Sequence, residues 1–306
     1  MADLRTAGAH GALALAVGPW GRFGTAAGLD SSGRPLQASA RFEVGSITKT
    51  FVAALTLLLV EDGGLGLEDE VTAHLSARYK TLGSVTVRSL LNHTSGLPDF
   101  FENAGFAARW QENPNRAWDP DELIEVSLAL PWHEPGVFSY ANSNYVLIRL
   151  VIESVTGFLL AELLRRRIFD PIGLSATQLP ATATVASAVV STSDELARFF
   201  AALLAGKIVG ESSLREMLTT VPCDWAESQG YGLGIEQVES LMGSDVSPCG
   251  NAWGHIGLGQ VTTVAFTTPD AKRQVVLMAN AMLTSDAAWS VLNEATWSVL
   301  FLASRL

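Results

Sequence analysis

The sequence predicts an α/β fold of the α+β kind: one sheet assembled from both ends of the chain, with a helical stretch inserted between them. Three observations predict it. Strand patterns open the chain, at Ala12–Val17 and near Phe23–Ala27. Helical periodicity with many breaks fills most of Leu65–Thr184. After Tyr231 the pattern returns to strands, at Tyr231–Val238, Val261–Thr267 and Gln274–Ala279. Periods of two at the ends and near 3.6 between them are the basis of the reading. The expected division is a sheet domain from 1–65 and 185–306 and a helical domain from 66–184.

Each element has a local cause. Gly18-Pro19-Trp20-Gly21 separates the first two strands as a turn. The apolar run Phe51–Val60 reads as a buried helix that stops at Asp62-Gly63-Gly64. His93-Thr94-Ser95-Gly96-Leu97-Pro98 reads as a turn after Thr86–Leu91, and Trp110–Pro120 as a Trp/Pro-rich loop. A strong helix is expected over Asn144–Arg167. Another covers Thr192–Ala205, with Thr192 or Ser193 capping it ahead of Asp194-Glu195. Pro269-Asp270-Ala271 turns the last two strands, and a final amphipathic helix runs from about Ala287 to Leu302.

Composition excludes several functions. With 306 residues, 48% hydrophobic and 17% charged, the chain has ample material for a core. Its net charge of −11 disfavours nucleic acid. The run Phe51–Val60 is too short to span a bilayer, so no membrane partner is expected. Arg165-Arg166-Arg167, the one basic cluster, falls at a helix end and reads as structural. The five histidines are scattered and form no H-x-x-x-H pair, so neither a metal nor another cofactor is expected. Cys223 and Cys249 allow a disulfide or two thiols equally. No clear signal peptide opens the chain, which favours a cytoplasmic location unless a leader has been removed.

Three short motifs carry chemistry. Ser46-Ile47-Thr48-Lys49 sets a hydroxyl and an amine one turn apart on one helical face. A serine needs a base, and a lysine serves as one if burial and neighbouring dipoles lower its pKa. Lysine is scarce here, with Lys49, Lys80, Lys207 and Lys272 the only ones, and Lys49 enters an apolar helix where a structural lysine is unfavourable. Tyr140-Ala141-Asn142 offers a hydroxyl to act as phenolate or proton relay, and an amide to hold the lysine. Trp253-Gly254-His255-Ile256-Gly257-Leu258-Gly259 offers a glycine frame for close backbone approach and a histidine to tune charge. The backbone N–H groups of Ser46 and Leu258 are candidates for an oxyanion hole. The bland alternatives are a chance tetrad, a core tyrosine with a capping asparagine, and a structural histidine.

With the three motifs in this order, the chain resembles the penicillin-binding protein and class C β-lactamase superfamily, nearest to Streptomyces-type D-alanyl-D-alanine carboxypeptidases and their esterase relatives. Further support comes from Arg41–Gly45 ahead of Ser46, Thr86–Leu91, the His93–Leu97 turn, Ser139–Tyr145 and Gln229–Gly234. The resemblance implies an antiparallel sheet flanked by helices, an all-helical second domain, and a site in the cleft between the two. It also implies an acyl-enzyme on Ser46, with Lys49 and Tyr140 as the proton-transfer pair.

The departures concern specificity. Carboxypeptidases of that family read His-Thr-Gly-Thr in the third motif and carry an arginine after the Tyr-Gly-Leu-Gly stretch, which together bind a substrate carboxylate. Here Ile256, Leu258 and Glu236 stand at those places, with Gly257 kept. The expectation is therefore a serine esterase or transacylase whose acyl donor is a small ester or amide without that carboxylate, with water or an amine as acceptor. Glu236 is expected to favour a cationic acceptor, as in amide-forming relatives from natural-product pathways. The alternatives are a carboxypeptidase or β-lactamase with a rebuilt carboxylate site, and a non-catalytic sensor that keeps the fold.

Overall fold

A hairpin of β1 (Gly11–Gly18) and β2 (Gly21–Gly28) opens the chain, and a two-residue strand β3 (Phe42–Glu43) pairs with β4 (Val190–Ser191). The remaining strands lie far along the chain: β5 (Gly230–Tyr231), β6 (Glu236–Val238), β7 (Ala252–Leu258), β8 (Thr262–Thr267) and β9 (Gln274–Ala279). They form a seven-stranded antiparallel sheet with β1 and β2, in the order β2-β1-β9-β8-β7-β6-β5. The two ends of the chain meet where β1 pairs with β9, Leu13 opposite Met278. This computed structural model describes residues 8–113, 116–180, 189–223, 225, 230–238 and 251–301.

The helices are α1 (Thr48–Glu61), α2 (Val87–Leu91), α3 (Ala104–Glu112), α4 (Pro120–Leu128), α5 (Asn142–Thr156), α6 (Leu160–Leu164), α7 (Ser193–Leu204), α8 (Glu211–Met217) and α9 (Asp286–Phe301). Strand alternation sends neighbouring side chains to opposite faces. Val276 and Met278 of β9 join the large core that contains α1 and α7. Val275, Leu277 and Ala279 turn the other way, into a smaller core with Ala288 and Leu292 of α9. Both faces being covered, β9 is buried throughout, and apolar from Val275 to Ala279 rather than alternating.

Helix α1 is the centre of the large core, buried along nearly all its length, as expected for a helix almost wholly apolar beyond its first turn. Phe51 stacks on Phe199 of α7 at 3.8 Å and meets Phe169 edge-on at 5.5 Å. Its polar residues are each engaged. Thr50 donates to the Gly234 carbonyl at 2.6 Å, and Thr48 accepts from the Val189 N–H at 3.1 Å. These contacts fix the axis of α1, and with it the position of the Ser46-x-x-Lys49 turn at its start.

Some elements differ from expectation, for local reasons. The helix expected over 144–167 divides at Gly157, whose φ of +70° ends α5 in a left-handed cap; α6 and a π-helical turn over Arg165–Phe169 follow. The strand expected over 231–238 divides into β5 and β6 around Gly234, at φ +69°. A Cβ there would lie 2.7 Å from the Ala53 Cβ and 2.8 Å from the Lys49 carbonyl, so this turn packs directly on α1. Trp110 lies inside α3, not in a loop, because Asn103 caps that helix by accepting from the Phe106 N–H. Thr192 is the cap of α7, accepting from the Glu195 N–H. Arg165, Arg166 and Arg167 pair with Asp170, Glu162 and Asp62, a structural use of the basic cluster.

Candidate active site

Ser46 lies in a 3₁₀ turn, Gly45–Ile47, that leads into α1. Gly45 has φ +54°, and a Cβ on it would sit 2.8 Å from Gly257 Cα and 2.9 Å from Leu258 N. A Cβ on Gly257 would sit 2.0 Å from the Val44 carbonyl. Two glycines thus let the start of the helix rest against the backbone of β7, with no side chain between. Lys49 is fully buried, and its Nζ lies 2.9 Å from Ser46 Oγ and 2.9 Å from Asn142 Oδ1. Burial pulls its pKa from the ordinary 10.5 to about 7, against the opposing charges of Asp99 and Glu236. Desolvation is the largest cause of the shift.

Tyr140 and Asn142 approach from the start of α5. The Tyr140 hydroxyl donates to Ser46 Oγ at 2.8 Å, and Lys49 Nζ stands 4.8 Å from the centre of the Tyr140 ring. Burial, then the charges of Glu236 and Asp99, push the phenol far above its ordinary pKa. Of the two expected forms, phenolate and proton relay, this environment disfavours the phenolate. Asn142 is oriented by Asp99, whose Oδ2 accepts from both the Asn142 backbone N–H at 2.6 Å and its Nδ2 at 2.8 Å. That leaves Asn142 Oδ1 facing Lys49.

Asp99 was not singled out in the sequence, although it is the nearest source of carboxylate charge to this chain of hydrogen bonds. Its signal is the pattern Asp99-x-x-Glu102, a capping box directly after the 93–98 turn. The structure forms that box, with Oδ1 accepting from the Phe101 N–H at 2.9 Å and Glu102 Oε1 accepting from the Asp99 N–H at 3.0 Å. The carboxyl is nearly enclosed, and burial raises its pKa. One residue thus caps a helical turn and steers Asn142.

The third motif lies on β7 itself. His255 is buried on the Ser46 side of the sheet. Its Nδ1 is 2.7 Å from the Ile256 carbonyl and 3.2 Å from Glu236 Oε1. Both are acceptors, so Nδ1 carries the proton, and Nε2 accepts from the Tyr231 hydroxyl at 2.9 Å. Burial, with Lys49 nearby, pulls the ring down to about 3, so it stays neutral. His255 is linked to the site through Tyr231, whose ring meets that of Tyr140 edge-on.

Glu236 is only 3% exposed and caps the β7 edge, its Oε1 accepting from the Ile256 N–H at 3.4 Å. It faces His255 and that edge, and its charge is felt at Lys49 and Tyr140. Ile256 packs towards the α9 core, away from Ser46, because alternation along β7 sends it there. Leu258 stands at the edge with its side chain 38% exposed. The Ile256 N–H points away from β8, towards Glu236. Two residues on, the Leu258 N–H takes the same direction, towards Gly45 and Ser46.

Among the described residues, no three or more His, Cys, Asp or Glu are placed to hold a metal, and no helix is long and apolar enough to cross a membrane. Cys249, the other half of the possible pair with Cys223, lies outside the described residues.

Comparison with known proteins gives concordant matches. A family model described as Beta-lactamase matches residues 4–293. The crystal structure of a D-stereospecific amidohydrolase from Streptomyces sp. superposes with a TM-score of 0.79 at 30% identity, covering 95% of this chain and 97% of that one. Penicillin-binding protein 4* of Bacillus subtilis is 36% identical over 148 residues, 48% of this chain and 32% of that protein. Lovastatin esterase of Penicillium rubens is 26% identical over 201 residues, 58% of this chain and 50% of its own. The chain thus spans half or less of these two relatives' lengths.

Proposed function

The chain belongs to the beta-lactamase family, and from that premise we propose that it forms an acyl-enzyme on Ser46 and passes the acyl group to water or an amine. The observation that carries this reading is the convergence of two proton-handling groups on one hydroxyl, Lys49 Nζ at 2.9 Å and the Tyr140 hydroxyl at 2.8 Å. Neutral Lys49 takes the Ser46 proton as Oγ bonds to the acyl carbon. Asn142 Oδ1 accepts from Nζ and aims the lysine lone pair at Ser46. The backbone N–H groups of Ser46 and Leu258 receive the developing oxyanion. The bond to the leaving group then breaks. Tyr140 gives that group its proton and is reprotonated by the Lys49 ammonium. Deacylation reverses these roles, with water or an amine attacking.

The acyl donor proposed is an ester or small amide without a carboxylate at the β7 edge. That edge presents Leu258 and the Glu236-capped N–H of Ile256, with no hydroxyl or guanidinium from the third motif. An anion there meets apolar surface and like charge, an arrangement that discriminates against it. The named activities of the amidohydrolase and esterase relatives fit such a donor.

The test is a matched series: an N-acyl-D-alanyl-D-alanine peptide as free acid, as amide and as methyl ester. The amide and ester should show kcat/KM at least about 100-fold above the acid. Preference for the free acid would place a carboxylate site elsewhere in the cleft and refute the donor assignment.

A further inference from the structure

His93 takes no part in the proton transfers above, yet it is among the most constrained residues of the chain. It is fully buried, and it holds φ +60°, one of two non-glycine residues with positive φ among those described. A bulky side chain rarely adopts that conformation, and where it does the surroundings must enforce it. Here three contacts do so, all directed at the segment that carries Tyr140. The His93 carbonyl accepts from the Ser139 N–H at 2.8 Å. Its Nδ1 accepts from the Ala141 N–H at 3.2 Å. Its ring packs against the Tyr140 ring in a tilted contact, 4.2 Å between centres and 35° between planes. Tyr140 is held before it, after it and beneath it by one residue.

The proton positions on this ring follow from its neighbours. Leu97 N–H donates to Ser95 Oγ at 3.0 Å, and Ser95 donates to Asn144 Oδ1 at 2.7 Å. Asn144 Nδ2 therefore faces His93 Nδ1, at 3.0 Å, as a donor. With two N–H groups aimed at it, Nδ1 must be unprotonated, and the proton sits on Nε2. That Nε2 has no hydrogen-bond partner among the described residues, and the ring packs against those of Phe138, Tyr140, Tyr145 and Tyr231. A second proton on the ring would break both bonds at Nδ1. The residue is thus fixed as a neutral acceptor and a flat platform.

We propose that His93 is the positioning residue for Tyr140, holding its hydroxyl on Ser46 through the bond to Ala141 N–H and the tilted ring contact. The proposal rests on the acyl-enzyme reading, in which Tyr140 protonates the leaving group. A poor leaving group depends on that proton and a good one does not. A misplaced Tyr140 therefore slows anilides far more than nitrophenyl esters, whereas general damage to the fold slows both alike.

The test is a double-mutant cycle of His93→Asn with Tyr140→Phe. Asparagine tolerates positive φ and its Oδ1 can stand in for Nδ1, but it lacks the ring. Rates are measured on an anilide and a nitrophenyl ester of one acyl group, and normalised to Ser46 titrated with a fluorophosphonate. His93→Asn should lower anilide turnover at least about tenfold more than ester turnover, and cost less than about threefold on either once Tyr140 is Phe. If His93→Asn does not fold, His93→Gly, which suits the same φ, enters the same cycle. Equal losses on both substrates, or additive losses with Tyr140→Phe, would overturn the proposal. Failure of the wild type to be labelled at Ser46 would instead remove the acyl-enzyme reading itself.

Discussion

A pH–rate profile examines the base most closely. In water a lysine at 10.5 is neutral in about one molecule in three thousand at pH 7. Burial of Lys49 brings its pKa to about 7, so about half the molecules hold a free amine there. The base acts when deprotonated, so kcat/KM should rise with pH, tenfold per pH unit below about 7, and level off above it. Between pH 8 and pH 5 the neutral fraction falls from about 90% to about 1%, which predicts a loss of about ninetyfold. The two histidines of the site do not confuse the limb, since burial holds His255 at about 3 and His93 well below its ordinary value. The assay is initial-rate hydrolysis of a nitrophenyl ester at constant ionic strength, with Lys49→Arg in parallel. Arginine stays charged throughout and should lose at least about three orders of magnitude. A limb near 10, or a Lys49→Arg protein within tenfold of wild type, would refute the argument that burial creates the base.

Other consequences are equally specific. Because the buried lysine binds its proton less readily when folded, stability should rise with pH between about 7 and 10.5; Lys49→Met should abolish that rise and add about 2 kcal/mol at pH 7, measured by urea unfolding, and a less stable variant would count against it. Asp99→Asn removes a charge that holds the Lys49 pKa up, so the acid limb should move to lower pH; a shift to higher pH would contradict the geometry through Asn142. Gly257→Ala puts a Cβ 2.0 Å from the Val44 carbonyl and should push β7 off the start of α1, lowering kcat about 100-fold or more through the Leu258 N–H; unchanged kcat would exclude that N–H from the oxyanion site.

What the sequence made legible was whatever depends on local spacing. Ser46 and Lys49 meet because an i, i+3 pair on a helix must. The strands at both ends of the chain and the cap at Thr192 follow from period and capping chemistry. What it hid depends on register and on long-range contact. Asp99 looks like a helix cap and is one; its second oxygen reaches Asn142 only because the 93–99 turn folds against α5. Glu236 and Ile256 were aligned with carboxylate-binding positions by motif alone; the motif does not contain the β6–β7 register, which pairs Glu236 with Gly254, or the alternation that turns Ile256 towards α9. The breaks at Gly157 and Gly234 were legible as glycines but not as left-handed turns, since nothing nearby in sequence shows what packs against them.

The central claim is a covalent bond at Ser46, and intact-protein mass spectrometry examines it most directly. Wild-type and Ser46→Ala protein would each be mixed with an activated ester, with and without an added amine, and quenched in acid. The account predicts one acyl group on the wild type, none on Ser46→Ala, and faster loss of the adduct where the amine is a competent acceptor. An adduct that survives Ser46→Ala, or a wild type that turns over the ester with no adduct at any quench time, would contradict it.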